Sequence, residues 1–246
     1  MNGQRVLFLA RGGSYRQKII ATRPIAYWPL NEPAGLVANN YGTLGSVANG
    51  AYSGVTLAQV PAPGGGGAAP LFDGINDFVN IYSANFAAAF GKNEGSMAIW
   101  LRVANAGVWT DAAARRACSI FVDANNFVNI SKDSVANTLA MQYKAAGSLE
   151  PFTSNAYAVT TWLHMAVTWS LVGDYAKFYV NGVLISTGGI IGNWTNALIA
   201  TGCAVGSANT TPVLCWSGYL AHPAIWTRPL ADNEIAALYN AGRRGI

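Results

Sequence analysis

The sequence predicts an all-β sandwich closed by one short C-terminal helix. Three observations carry that reading. Short stretches of alternating apolar and polar residues recur along the chain. Residues 96–103 are the cleanest: Met97, Ile99, Leu101 and Val103 fall on one face and Ser96, Ala98, Trp100 and Arg102 on the other. Asn181-Gly182 joins two such stretches and supplies the positive-φ pair of a type I′ hairpin. Helical spacing stands out at the end, where Ile235, Leu238 and Tyr239 share a face and Gly242 follows as a stop.

Taken in order, residues 1–23 form a basic arm closed by Ala21-Thr22-Arg23-Pro24, and residues 25–30 read as the first strand. A Gly/Asn/Ser/Ala-rich stretch, 34–69, is loop-like with a short strand near Val55; it carries Pro61-Ala62-Pro63 and Gly64 to Gly67. Strands follow at 77–82, 96–103, 117–123, 126–131 and 138–143. Residues 162–169 bring Met165, Val167 and Trp169 to one face, and strands at 175–180 and 183–186 flank the Asn-Gly turn. Further strands are expected at 202–206 and 213–226. No second boundary interrupts them, so the chain divides into an arm, 1–23, and one sandwich, 24–246.

Composition narrows the function. Hydrophobic residues are 52% of the chain and charged residues 11%, against a usual charged share of about 25%. That is ample for a core, and no apolar run is long enough to span a membrane. The net charge of +4 is unevenly spread: residues 1–23 carry +5, residues 24–242 carry −3, and Arg243 and Arg244 close the chain. The body is therefore no basic nucleic-acid surface. Within the arm only Phe8 and Tyr15 are aromatic, which is no stacking platform for bases. Arg5, Arg11, Arg16, Lys18 and Arg23, with residues 6–9 as an apolar anchor, instead suit docking onto an acidic protein surface. The apolar stretch 6–10 is too short for a signal peptide, so synthesis in the cytoplasm without a leader is expected. Cys118, Cys203 and Cys215 are expected as buried thiols, with a Cys203–Cys215 pair as the alternative.

Several segments, in order, resemble one family. Tyr27-Trp28-Pro29-Leu30-Asn31-Glu32 resembles the opening strand of laminin-G-like, concanavalin A-like jelly rolls, and Phe72-Asp73-Gly74 through Ile81 is similar to their phenylalanine-aspartate-glycine motif. Trp162-Leu163-His164-Met165-Ala166-Val167-Thr168-Trp169 with Phe178-Tyr179-Val180-Asn181-Gly182 resembles the central hairpin. Val205-Gly206-Ser207, Trp216-Ser217-Gly218-Tyr219-Leu220 and Arg228-Pro229-Leu230 through Leu238-Tyr239 resemble the closing strand and helix. The resemblance covers roughly residues 24–242 and implies a concanavalin A-like (LamG-like) jelly-roll β-sandwich. Ala221 stands where relatives carry an acid, and Ala231 where they carry a Ser or Thr cap, a departure from the calcium-dependent members. Ca²⁺ is thus a cofactor that the resemblance allows and no ligand pattern supports.

Glucanases share the fold, and their chemistry needs two carboxylates about 5 to 9.5 Å apart. None of the glutamates, Glu32, Glu94, Glu150 and Glu234, sits two or four residues from another acid on an expected strand. Asp232 with Glu234 belongs to a helix start, where acids suit the dipole. Asp73 and Asp77 read as a turn, and His164 and His222 as satisfied sheet residues. No catalytic residue is assigned and a non-enzymatic protein is expected.

Glycan binding is what the resemblance implies instead. Trp109 and Trp194 fall in expected loops and are the contact candidates, with Asp123, Asn125 and Asn126 and with Asn193, Thr195 and Asn196 as polar neighbours. The sequons at Asn129, Asn193 and Asn209 read as accidental. The arm-then-sandwich layout, Tyr15-Arg16-Gln17-Lys18-Ile19-Ile20 leading to residues 27–32, resembles laminin-G-like domains of tailed-phage structural proteins. The expectation is a virion decoration or accessory protein, part of an oligomeric assembly with other capsid or tail proteins, its loops turned toward surface glycans. The rivals are a free-standing, extracellular bacterial carbohydrate-binding module and a glycoside hydrolase-like protein.

Overall fold

The computed structural model describes residues 14–154, 157–189 and 191–244. In chain order come α1 (Tyr15–Ala21), β1 (Ala26–Tyr27), β2 (Val37–Ala38), β3 (Gly50–Ser53), β4 (Thr56–Pro61), β5 (Ala68–Asp73) and β6 (Phe78–Asn80). Helix α2 (Ala84–Ala89) precedes β7 (Glu94–Val103), β8 (Arg115–Asp123), β9 (Asn126–Lys132), β10 (Leu139–Ala145) and β11 (Ser148–Ser154). The chain then runs through β12 (Leu163–Ser170), β13 (Tyr175–Val180), β14 (Val183–Gly188), β15 (Cys203–Val205) and β16 (Ser217–Trp226) to α3 (Asp232–Gly242). None of the described helices is long and apolar enough to cross a membrane.

Two antiparallel sheets result. One has the order β14-β13-β12-β7-β16-β5-β4, with β1 added beside β16; the other has the order β11-β10-β9-β8-β15-β6-β3-β2. The hairpin expected at Asn181-Gly182 is present, with φ of 51° and 78° at the two residues. The inward row of β7, Met97, Ile99, Leu101 and Val103, meets Ile120, Val128, Ile130 and Met141 from the second sheet in one core. Strands β3 and β4 occupy the stretch expected as mostly loop. Their Gly, Ala and Pro content gives weak intrinsic strand preference, and pairing to β6 and β5 supplies what propensity does not.

The outward row of β7 is buried as well. Ala98 and Trp100 join Tyr15, Ile19, Trp162, Tyr179, Trp226, Ile235 and Leu238 in a second core, where α1 and α3 lie across the outer face of the first sheet. The first sheet is therefore covered on both sides, and its strand β12 is buried along its whole length. The arm drawn at residues 1–23 needs correction here. Ser14 accepts from the Gln17 N–H and Gln17 accepts from the Ser14 N–H, a capping box that starts α1, and Tyr15 and Ile19 are buried against the sheet. Residues 15–22 belong to the sandwich, while Arg5 and Arg11 lie outside the described residues.

A bulge in β16 between Ala221 and Ala224 turns His222 into the left-handed region, φ 57°, and aims its ring into this second core. The Pro63 carbonyl, 3.0 Å away, can only accept, so Nε2 carries the proton and Nδ1 accepts from the Tyr27 hydroxyl at 2.9 Å. Gly64, φ 71°, packs so tightly on Tyr15 that any side chain there would run into the ring. His164 is equally buried against Trp100, ring centroids 5.1 Å apart, but neither of its ring nitrogens has a partner; this corrects the expectation of a satisfied histidine. All three cysteines are buried and free, and burial pushes Cys118 and Cys203 up to about 12. Helix α3 begins at Ala231 without a side-chain cap; Glu234 accepts the Ala231 N–H instead and is held by both arms of Arg228 at 2.7 and 2.6 Å.

The two histidines make stability depend on pH. Burial pulls His222 down to about 4 and, helped by the nearby charge of His222, pulls His164 down to about 3. The unfolded chain binds these protons near pH 6.5, the folded chain only well below, so stability is greatest above that value. Denaturation in urea at a series of pH values should show stability level above about pH 7 and falling steadily from 6.5 toward 4. A flat profile through that window would show that the rings are not held neutral.

Candidate functional site

With the centre of one sheet covered by helices, the outer face of the second sheet is partly open: Phe121, Phe127, Gln142 and Lys144 are half-buried, while Ser119, Asn129 and Ser131 are buried. Period-2 alternation decides what it presents. In β8 and β9, Ile120, Val128 and Ile130 point into the core, so Ser119 and Phe121 and, opposite them, Asn129 and Phe127 point out; a bulge between Arg116 and Cys118 sets Arg116 opposite Ser131 on the same face. Strand β10 extends the rows with Gln142 beside Asn129 and Lys144 beside Phe127.

The result is a layered surface. Phe121 and Phe127 stack with centroids 6.2 Å apart and 22° between planes, and the Lys144 ammonium lies 6.0 Å from the Phe127 ring. Next to them Asn129 donates to Gln142 at 3.2 Å. Its other amide atom, Oδ1, is buried without a hydrogen-bond partner, although Asn129 is only 3% exposed. Arg116 stands beyond Ser119, its guanidinium pKa lowered by burial and raised in part by Asp133. Arg116, Ser119, Phe121, Phe127, Asn129 and Leu214 line a hollow of about 140 Å³. A hollow this small takes part of a ligand and leaves the rest on the flanking face.

The residues expected as contacts divide. Trp109 is not a surface ring: a 3₁₀ turn, Ala106–Trp109, folds it back into the core, 1% exposed, with Nε1 donating to the Val159 carbonyl at 2.8 Å. Trp194 is 4% exposed and packs on Phe90 and Tyr143, centroids 5.7 and 6.1 Å away. A loop position said nothing about which way either ring points. The two polar groups, by contrast, come together. Asp123, at the end of the outward row of β8, accepts from the Asn196 side chain at 2.6 Å, the Asn125 N–H at 2.8 Å and the Asn126 side chain at 3.0 Å. Those bonds, the Asn196 amide first, hold its carboxyl below the usual range. Asn126 is buried and bridges to Thr195, while Asn125 and Asn193 are exposed. The cluster is a bolt between the β8–β9 turn and the 193–196 loop, at the rim of the open face. Among the described residues no three His, Cys, Asp or Glu side chains gather as a metal-holding group. Asp73 and Asp77 serve the turn, accepting the N–H groups of Ile75 and Asp73 respectively. Of the arm cations, Arg16 lies 3.5 Å over the Tyr41 ring, and Lys18 and Arg23 are exposed.

Sequence reasoning missed Arg116, Phe121, Phe127, Asn129, Gln142 and Lys144. Except for Arg116, which a bulge turns outward, their alternation with Ile120, Val128, Ile130 and Met141 was visible; which face another layer covers was not. The sequon at Asn129 is buried in a strand, which keeps it from a modifying enzyme.

This geometry agrees with comparison to known proteins. A family model described as Concanavalin A-like lectin/glucanases superfamily (Laminin_G_3) matches residues 72–236. The chain belongs to that superfamily. No curated protein sequence matches it. Among solved structures, this superfamily member resembles the receptor binding domain of botulinum neurotoxin D, with a TM-score of 0.65 at 12% identity over 90% of this chain and 53% of the other. The binding domain of botulinum neurotoxin DC in complex with rat synaptotagmin II gives 0.62 at 16% identity, over 92% and 53%. The serotype D ligand binding domain in complex with N-acetylneuraminic acid gives 0.61 at 12% identity, over 93% and 52%. The chain spans about half the length of these structures, and at such identities the likeness is one of fold.

The division of aromatic rings has a direct consequence. Trp109→Ala and Trp194→Ala should each cost about 3–5 kcal/mol of stability, and Phe127→Ala clearly less, measured by urea denaturation. Equal losses at all three positions would place Phe127 in the core too.

Proposed function

We propose that the protein is a non-enzymatic component of a phage particle, a capsid decoration or accessory protein, whose open sheet binds glycans. The observation that carries the glycan reading is the outward face of β8–β10. It combines a stacked aromatic pair, whose π-faces suit the C–H face of a sugar ring, with amides and cations for its hydroxyls. Membership of a lectin and glucanase superfamily supports sugar as the ligand class. The neat pairing of Asp73 and Asp77 with turn amides, and of Glu234 with Arg228, supports binding over hydrolysis.

Attachment is assigned to the opposite side. The chain enters through α1, on the outer face of the sheet that the helices cover, so a basic N-terminal segment anchored to an acidic particle protein would turn the open sheet outward. Such a protein would be made in the host cytoplasm and act in an oligomeric assembly. The resemblance of residues 15–32 to phage structural domains supports that setting.

Two experiments separate the parts of this reading. On a glycan array the intact protein should give a signal that Phe127→Ala and Gln142→Ala each reduce by roughly tenfold, the loss of about one good contact; no signal for the folded protein would remove the glycan role. Deletion of residues 2–13, which spares α1, should abolish incorporation into particles. Undiminished incorporation would remove the anchoring role, and a retained glycan signal without any particle association would favour a free-standing carbohydrate-binding module.

A further inference from the structure

A second concave site lies on the covered side, where α3 stops short. Gly242 ends the helix directly over Trp100, so close that a side chain there would strike the indole. The next outward residue of β7, Arg102, is about 6.6 Å further along the strand and beyond the helix's cover. Arg243, the first residue after the helix, overhangs the same place. Arg102, Arg243, Tyr239, Asn181, Thr160 and Thr161 line a cleft of about 770 Å³, within the size range of ligand pockets.

The chemistry of this cleft is one-sided. None of its lining residues is acidic. Neither guanidinium belongs to an ion pair among the described residues, whereas Arg115 and Arg228 are paired to Asp111 and Glu234. Each is backed by a ring: Arg102 lies 5.3 Å from the centroid of Tyr219, and Arg243 lies 5.8 Å from that of Tyr239. Arg243 spends its Nε on Asn240, but the Nε of Arg102 is buried with no partner. A planar, half-buried fork with an unfilled donor suits a planar, two-oxygen anion. Around it, the exposed hydroxyls of Thr160 and Thr161 and the Asn181 amide offer hydrogen bonds, and Tyr239 offers a ring face.

We propose that this cleft is a binding site for an acidic saccharide, a uronic or sialic acid unit whose carboxylate sits on Arg102 and Arg243 while its hydroxyls meet Thr160, Thr161 and Asn181. It is separate from the open sheet and does not depend on glycan binding there. A carboxylate from an acidic peptide would satisfy the guanidinium groups too, but would leave the surrounding hydroxyls and amide with less to bind.

The test compares trigalacturonic acid with its methyl ester, a neutral molecule of nearly the same shape, by calorimetric titration of the full chain. The acid should bind, the ester roughly tenfold or more weakly, and Arg102→Gln and Arg243→Gln should each weaken the acid about tenfold. Arg102→Lys should not restore binding, because a point charge lacks the fork. Urea denaturation of each variant confirms that the fold persists. Equal affinity for acid and ester, unaltered binding by both Gln variants, or equal displacement by inorganic phosphate or a glutamate-rich peptide would each overturn the proposal. Loss of binding in Phe127→Ala, with Arg102→Gln and Arg243→Gln unaltered, would overturn the proposal in favour of the open sheet.

Discussion

The indole of Trp100 points out of the sheet that contains it, yet it is fully buried. Its Nε1 donates to the Tyr15 hydroxyl at 2.8 Å, its face stacks on Tyr239 at 5.8 Å, and its edge meets Gly242. One side chain thereby ties α1 at the chain's beginning and α3 at its end to the centre of a sheet. An outward tryptophan on a two-layer sandwich would ordinarily be an exposed apolar patch; here it nucleates a third layer. His222, Tyr27, Trp226 and Thr22 extend the same layer, with the Trp226 indole donating to Thr22 at 2.9 Å. Everything distinctive about the molecule's surfaces follows from that cover.

Because the helices close one sheet, the two faces of the sandwich differ in kind. The covered side offers chain entry, exposed cations such as Lys18, and a cleft where the cover ends. The open side offers strands whose outward rows are aromatic, amide and cationic instead of a third core. An antiparallel sheet is free to meet water on one face, and this one does so in part, where Phe121, Phe127, Gln142 and Lys144 stand. The proposed use, attachment on one side and recognition on the other, fits such an asymmetric sandwich.

Much of the fold was legible in the residues themselves. The alternation of 96–103, the Asn181-Gly182 turn and the periodicity ending at Gly242 all appear where the sequence puts them, because each is a local rule that tertiary packing reinforces. What was not legible depended on partners distant in sequence. The cations of residues 16–18 drew attention from the Ser14–Gln17 capping box, and Tyr15 gives no local sign that Trp100, 85 residues away, awaits it. Trp109 and Trp194 lie in irregular segments, as expected, but those segments wrap the core and carry the rings inward. The polar cluster of Asp123, Asn126 and Asn196 was half visible: Asp123 and Asn196 are 73 residues apart in sequence, and only the fold joins them. The outward rows of β8 and β9 could be counted from parity, yet nothing in parity says which face stays bare.

The claim at the centre of this account is that the cover over Trp100 leaves the sheet of β8–β10 as the glycan-binding face. Hydrogen exchange read amide by amide, with and without a bound neutral oligosaccharide, tests it most directly. The account predicts added protection along residues 115–145 and none in α1 or α3. Protection in α1 or α3, with residues 115–145 unchanged, would contradict it.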